Sequence, residues 1–74
     1  MTDAARLARY GRLLYGPRWQ SDLARDLGVS IRRLQRWADG EFAVPPGVWP
    51  DLRRLLLTRA AELRMAASWM RQGA

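Results

Sequence analysis

The chain has 74 residues, of which thirteen are arginine and seven are Asp or Glu, giving a net charge of +6, and 49% of it is apolar. A chain of that length holds one modest core, is too apolar to read as disordered, and has no run of 18 apolar residues that could span a membrane. Cysteine, histidine and lysine are all absent, which excludes a disulfide scaffold, a thiol active site and the usual zinc ligands, and leaves no base to activate a hydroxyl nucleophile.

The pattern predicts an all-α chain of four to five helices in one domain, residues 1–74. The first helix is expected from Asp3 to Tyr15, capped by Asp3, with Leu7, Tyr10 and Leu14 at helical spacing. Arg6, Arg9 and Arg12 fall mainly off that stripe, and Gly16-Pro17 stops the helix. The second helix starts at Trp19 or Gln20 and ends at Leu27, with Leu23, Ala24 and Leu27 inward. Gly28 follows at once, a helix stop, and Val29 packs the corner. Ser30 is a good cap for a third helix, Ile31 to about Ala38, closed by Asp39-Gly40. Two helices joined this tightly form a helix-turn-helix by spacing alone. After the stiff EFAVPP loop, residues 47–71 form a C-terminal helical segment, one helix or two with a break near Thr58-Arg59. Pro50 is compatible with a first turn, where its missing N–H loses no partner.

On the third helix the apolar and cationic residues separate. Leu34 and Trp37 share one face, while Arg32 and Arg36 share another with Arg33 beside them and Gln35 at an edge. A short exposed helix of this kind fits the major groove of B-DNA, and arginine reads guanine O6 and N7 bidentately. Arg32, Arg33 and Arg36 are therefore candidate base readers. Ile31 either touches a thymine methyl or tucks into the core. Cations just past the cap oppose the helix dipole, and a phosphate or base acceptor would relieve that cost. The bland alternative is a solvated charged face. The lysine-free composition has two readings as well: selection for bidentate contacts, or the codon bias of a GC-rich genome.

At the start of the second helix, free backbone N–H groups together with Arg18, Gln20 and Ser21 make a candidate phosphate clamp, with Arg25 a further cation. Ordinary capping would use the same residues. Trp37 reads as core and Trp49 as a cover for the loop and the start of the last helix. Leu63, Ala66, Trp69 and Met70 are candidates for a dimer surface, because a chain this short has little left to bury them. No catalytic constellation, cofactor, metal or small-molecule ligand is expected. MTDAARLARYG holds no apolar signal core, so a cytoplasmic, nucleoid-associated protein is the default.

The run WQSDLARDLGVSIRRLQRWADGE resembles the Cro-type, XRE-like helix-turn-helix of phage and bacterial repressors. The likeness is carried by Gln20, Leu23-Ala24, Leu27-Gly28, Ser30, Leu34 and Gly40. It implies a lambda-repressor-like bundle in which Gln20 clamps a phosphate, Ile31, Arg32 and Arg36 face the major groove, and Arg33 lies near the backbone or base edges. The family commonly has a polar residue where Ile31 stands, and its fifth helix is here replaced by or merged into the C-terminal segment. In size the chain is also similar to small operon autorepressors such as anti-CRISPR-associated regulators. The expectation is a transcriptional regulator, a repressor of its own operon, that binds double-stranded DNA at a pseudo-palindrome as a homodimer. An architectural or recombination accessory protein, or a helix-turn-helix used for protein docking, are the alternatives.

Overall fold

The computed structural model describes residues 1–73, which form four α-helices and no strand. α1 spans Asp3–Tyr15, α2 Trp19–Leu27, α3 Ile31–Ala38 and α4 Val48–Gly73. The fold is an all-α bundle with the smaller of the two expected helix numbers. Thr58 and Arg59 lie inside α4, which is one helix of 26 residues. No glycine or proline interrupts it between Asp51 and Gln72. Its start is secured by the proline carbonyls: Val48 N–H donates to Pro45 O at 3.0 Å and Trp49 N–H to Pro46 O at 3.3 Å. Pro50 follows in the first turn, where it forfeits no bond. No helix of the described residues is long and apolar enough to cross a membrane.

Each helix contributes one fully buried leucine to the centre: Leu7, Leu23, Leu34 and Leu52. Around them pack Leu14, Trp19, Ala24, Trp37, Val44 and Val48. Truncating a leucine of this class to alanine typically costs about 2–5 kcal/mol, so the four together fix how the helices meet. Trp19 belongs to this core. Its indole passes over α1 at Gly11, where an added Cβ would lie 2.2 Å from Trp19 Cε3.

Two local expectations are corrected. The cap of α1 is Thr2 rather than Asp3: Thr2 Oγ1 accepts from Ala5 N–H at 3.1 Å, and Asp3 sits in the first turn, paired with Arg6 at 3.4 Å. The threonine stands one residue earlier and reaches the third helical N–H, which leaves the carboxylate free to face the dipole. Trp49 bridges helices rather than covering the loop, with the Arg6 guanidinium over its ring at 4.4 Å from the centroid.

A polar chain ties α4 to α1 and α2. Arg59 Nη1 donates to Leu14 O at 2.7 Å, satisfying a carbonyl that the end of α1 leaves open, and its guanidinium lies 5.7 Å from the Tyr15 ring centroid. The Tyr15 hydroxyl donates to Asp26 Oδ2 at 2.5 Å, and Arg25 Nε donates to Asp26 Oδ1 at 3.2 Å. The Tyr15 hydrogen bond, then Arg25, hold the Asp26 carboxyl below its ordinary 3.8, against partial burial. Burial, then the hydrogen bond and charge of Asp26, push Tyr15 up to about 12. Linkage sets the sign at each end. Asp26 binds its proton less tightly folded than unfolded, so its contribution is present above the unfolded pKa and disappears as pH falls through the folded value. Tyr15 binds its proton more tightly when folded, so its contribution is present below 10.0 and declines as pH rises toward 12. Thermal melts across pH should therefore lose stability at both ends. Asp26→Asn should flatten the acid limb; an unchanged acid limb in that variant would remove Asp26 as its source.

Candidate nucleic-acid interface

The turn between α2 and α3 is built from three residues. Gly28 takes φ 74°, ψ 29°, the left-handed conformation that a side chain disfavours. Its N–H donates to Arg25 O at 3.1 Å and the Val29 N–H to Ala24 O at 3.0 Å, which closes α2 in a Schellman motif. Ser30, extended at φ −69°, ψ 150°, accepts the Arg33 N–H at 3.1 Å on its Oγ and starts α3. The far end of α3 closes the same way, with Gly40 N–H to Trp37 O at 3.1 Å and Glu41 N–H to Arg36 O at 2.9 Å. The result is a helix of eight residues held rigidly at both ends.

Leu34 and Trp37 bury the inner face of α3, and Arg32, Arg33, Gln35 and Arg36 are exposed on the outer one. Ile31 is 44% exposed, so it is not a core residue and stands at the rim of the arginine face. Elsewhere Arg6, Arg25 and Arg54 each pair with aspartate. Among the described residues no carboxylate pairs with Arg32, Arg33 or Arg36. Three cations on one short helix thus keep their full charge toward solvent. Asp26, a sequence-level candidate to soften that charge, is turned to Tyr15 and Arg25 instead.

Open grooves run along both flanks of α3. One is lined by Ser30, Arg32, Arg33, Arg36, Trp37 and Phe42. The other brings together Arg12, Pro17, Arg18, Trp19, Gln20, Ser21 and Ile31. Arg18 is the residue before α2 and makes no side-chain cap, so the first-turn N–H groups of α2 receive no acceptor from it. The predicted clamp of Arg18, Gln20 and Ser21 is therefore assembled beside Ile31, with Arg12 added to it. Arg25 is not part of this assembly. It lines neither groove, and its guanidinium is taken by Asp22 at 3.0 Å and Asp26 at 3.2 Å. Those carboxylates satisfy the donors a phosphate would need, so Arg25 is set aside as a phosphate contact.

Two contacts escape the sequence reading. Gln35 Nε2 donates to Gln20 Oε1 at 3.5 Å, coupling the phosphate clamp to the outer face of α3. Phe42, half exposed in the loop after α3, lies beneath Arg36 with the guanidinium carbon 5.4 Å from its centroid. A flat ring there limits the rotamers of Arg36 and orients its fork. Phe42 sits outside any periodic pattern, just past a glycine, so only the folded loop brings it under Arg36.

Leu63, Ala66, Trp69 and Met70 are all exposed and lie on the part of α4 that follows its last contacts with the bundle. The chain matches no family model, no curated protein and no solved structure.

Proposed function

We propose that this protein is a sequence-specific double-stranded-DNA-binding transcriptional regulator that acts as a homodimer on a pseudo-palindromic operator and represses its own operon. The observation that carries the reading is the outer face of α3, where Arg32, Arg33 and Arg36 stand exposed without a carboxylate partner on a helix braced by two glycine-closed turns. In this reading α3 enters the major groove. Arg32 and Arg36, one turn apart, take guanine O6 and N7, and Arg33 reaches the backbone or a neighbouring base edge. Ile31 meets a thymine methyl. Arg18, Gln20, Ser21 and the first N–H groups of α2 hold phosphate and set the register. Nothing else is needed for repression than an operator that overlaps a promoter.

The interface is cationic, so binding should weaken steeply with salt. Fluorescence anisotropy on a labelled duplex should show at least about a tenfold loss of affinity between 50 and 200 mM salt, with a slope that counts the phosphate contacts. Selection from a random duplex pool should enrich a palindrome with G·C pairs in each half-site. Salt-sensitive binding without an enriched sequence would assign the protein to architectural use. Absence of duplex binding at low salt would leave protein docking and overturn the reading. A reporter driven by the upstream region of its own operon then separates repressor from accessory factor.

A further inference from the structure

α4 carries one stripe along its whole length. Leu52, Leu56, Arg59, Leu63, Ala66 and Met70 follow one another at steps of four and three. The first half of that stripe is used inside the chain: Leu52 is buried, and Leu56 and Arg59 are half-buried. Beyond Arg59 no described residue is buried, and Leu63, Trp69 and Met70 are 63%, 64% and 71% exposed. Residues 60–73 extend for ~21 Å at 1.5 Å per residue, which accounts for the elongated 48 × 24 × 21 Å shape.

Toward the other end of α4 an apolar groove of about 290 Å³ opens between α1 and α4, lined by Arg6, Tyr10, Trp49, Leu52, Arg53 and Leu56. Leu52 and Leu56 belong both to the groove and to the stripe. The groove and the bare tail therefore lie on the same side of α4, at opposite ends. That arrangement is self-complementary under reversal, which a two-fold interface requires.

We infer that a second copy of this chain docks antiparallel along α4, each C-terminal tail lying in the α1–α4 groove of the other. With the axis between Arg59 and Ala60, Leu63 falls opposite the partner's Leu56 and Met70 opposite the partner's Trp49. Trp69 then approaches the cationic rim of the groove, where Arg6 already stacks on an indole. Arg64 and Arg71 lie off the stripe, so no cation is driven against Arg6 or Arg53. Size favours this pairing over tails that touch only each other. A tail alone offers a strip ~21 Å long and ~10 Å wide, on the order of 200 Å², whereas a stable interface needs about 800 Å² per partner. The antiparallel pairing doubles the length in contact and adds the α1 wall of the groove.

The inference takes its partner from the proposed homodimer, and its test needs no DNA. The chain has no cysteine, so introduced ones report only the pairing. Mixed Leu56→Cys and Leu63→Cys proteins should cross-link to each other under mild oxidation. Leu63→Cys alone should not, because in this register its two copies lie ~10 Å apart along the axis, beyond disulfide reach. Self-linking of Leu63→Cys would mean parallel tails and overturn the arrangement. Sedimentation of the unaltered chain as a monomer at high micromolar concentration would overturn it as well. Leu63→Glu with Met70→Glu should convert the dimer to a monomer with its helical content kept, since both side chains are exposed; a persisting dimer would place the interface elsewhere. A dimer that cross-links as expected yet binds no duplex would sink the DNA reading and leave this one standing.

Discussion

Replacing Arg32 and Arg36 together with alanine is expected to weaken binding to the selected duplex by on the order of 10²–10⁴-fold, because each bidentate arginine–guanine contact carries about 1–3 kcal/mol of discrimination. The same change should leave the fold intact. Both side chains are exposed, neither has an ion-pair partner among the described residues, and neither touches the buried face that Leu34 and Trp37 provide. Alanine is the better helix former, and loss of a cation near the N-terminus of α3 removes an unfavourable dipole interaction. The melting temperature should therefore hold or rise slightly while affinity collapses. The control is Arg9→Ala with Arg64→Ala, which removes the same charge from exposed positions outside α3. If attraction by net charge were the whole of binding, both pairs would lose equally, and the salt slope would drop in parallel. A recognition role predicts a larger loss for the α3 pair and a relaxed sequence preference. Unchanged binding in the α3 pair would remove α3 as the reader.

Gly11→Ala is expected to destabilise the protein by about 2–3 kcal/mol, toward the upper part of the range for overpacking a core. On an open helix surface the same change would stabilise by roughly 1 kcal/mol, so even the sign is informative. The added Cβ would meet Trp19 Cε3 at 2.2 Å, Cδ2 at 2.7 Å and Cζ3 at 3.0 Å, whereas carbon atoms rest about 3.5–4.0 Å apart. Three atoms of one rigid ring are involved, and that ring is 3% exposed, so it cannot swing aside without opening the core. For a domain of this size the penalty corresponds to a fall in melting temperature on the order of 10–20 °C. Trp19→Leu added to Gly11→Ala should cost less than the two single changes summed, because it removes the ring that clashes. Strict additivity would show that the two residues do not meet. The consequence for function is indirect. Trp19 opens α2, and its seat on α1 fixes where Gln20 and Ser21 stand relative to α3.

The helices, the turn and the inner face of α3 are all legible in the chain, and for local reasons. Gly28 and Ser30 act within one turn of their own position. Leu23, Leu34 and Trp37 announce themselves by spacing, and Ala38-Asp39-Gly40 marks its own stop. The arginine face is legible by the same logic, since what is not inward on an eight-residue helix must be outward. Gly11 is not, because a glycine within a helical stretch gives no sign of the indole that will cross it. The fate of Arg25 is not legible either. Its charge reads like that of Arg18, and only the folded positions of Asp22 and Asp26 show that its donors are occupied. Ile31 could go either way by periodicity, and the tilt of α3 against the bundle leaves it at the rim.

Composition and local pattern by themselves determined an all-helical, strongly cationic chain with a tight turn that aims a short arginine-bearing helix away from its core. These properties depend on neighbours three or four residues away, within reach of backbone bonds and helical periodicity. The tertiary structure alone decided which charges stay free, which residues line the two flanks of α3, and that α4 runs unbroken past the bundle with half of its stripe unused. Arg59 gripping the end of α1 from a distant helix, Phe42 beneath Arg36, and Trp19 against Gly11 are all meetings between separate segments. Their partners are chosen by packing, which no local pattern encodes.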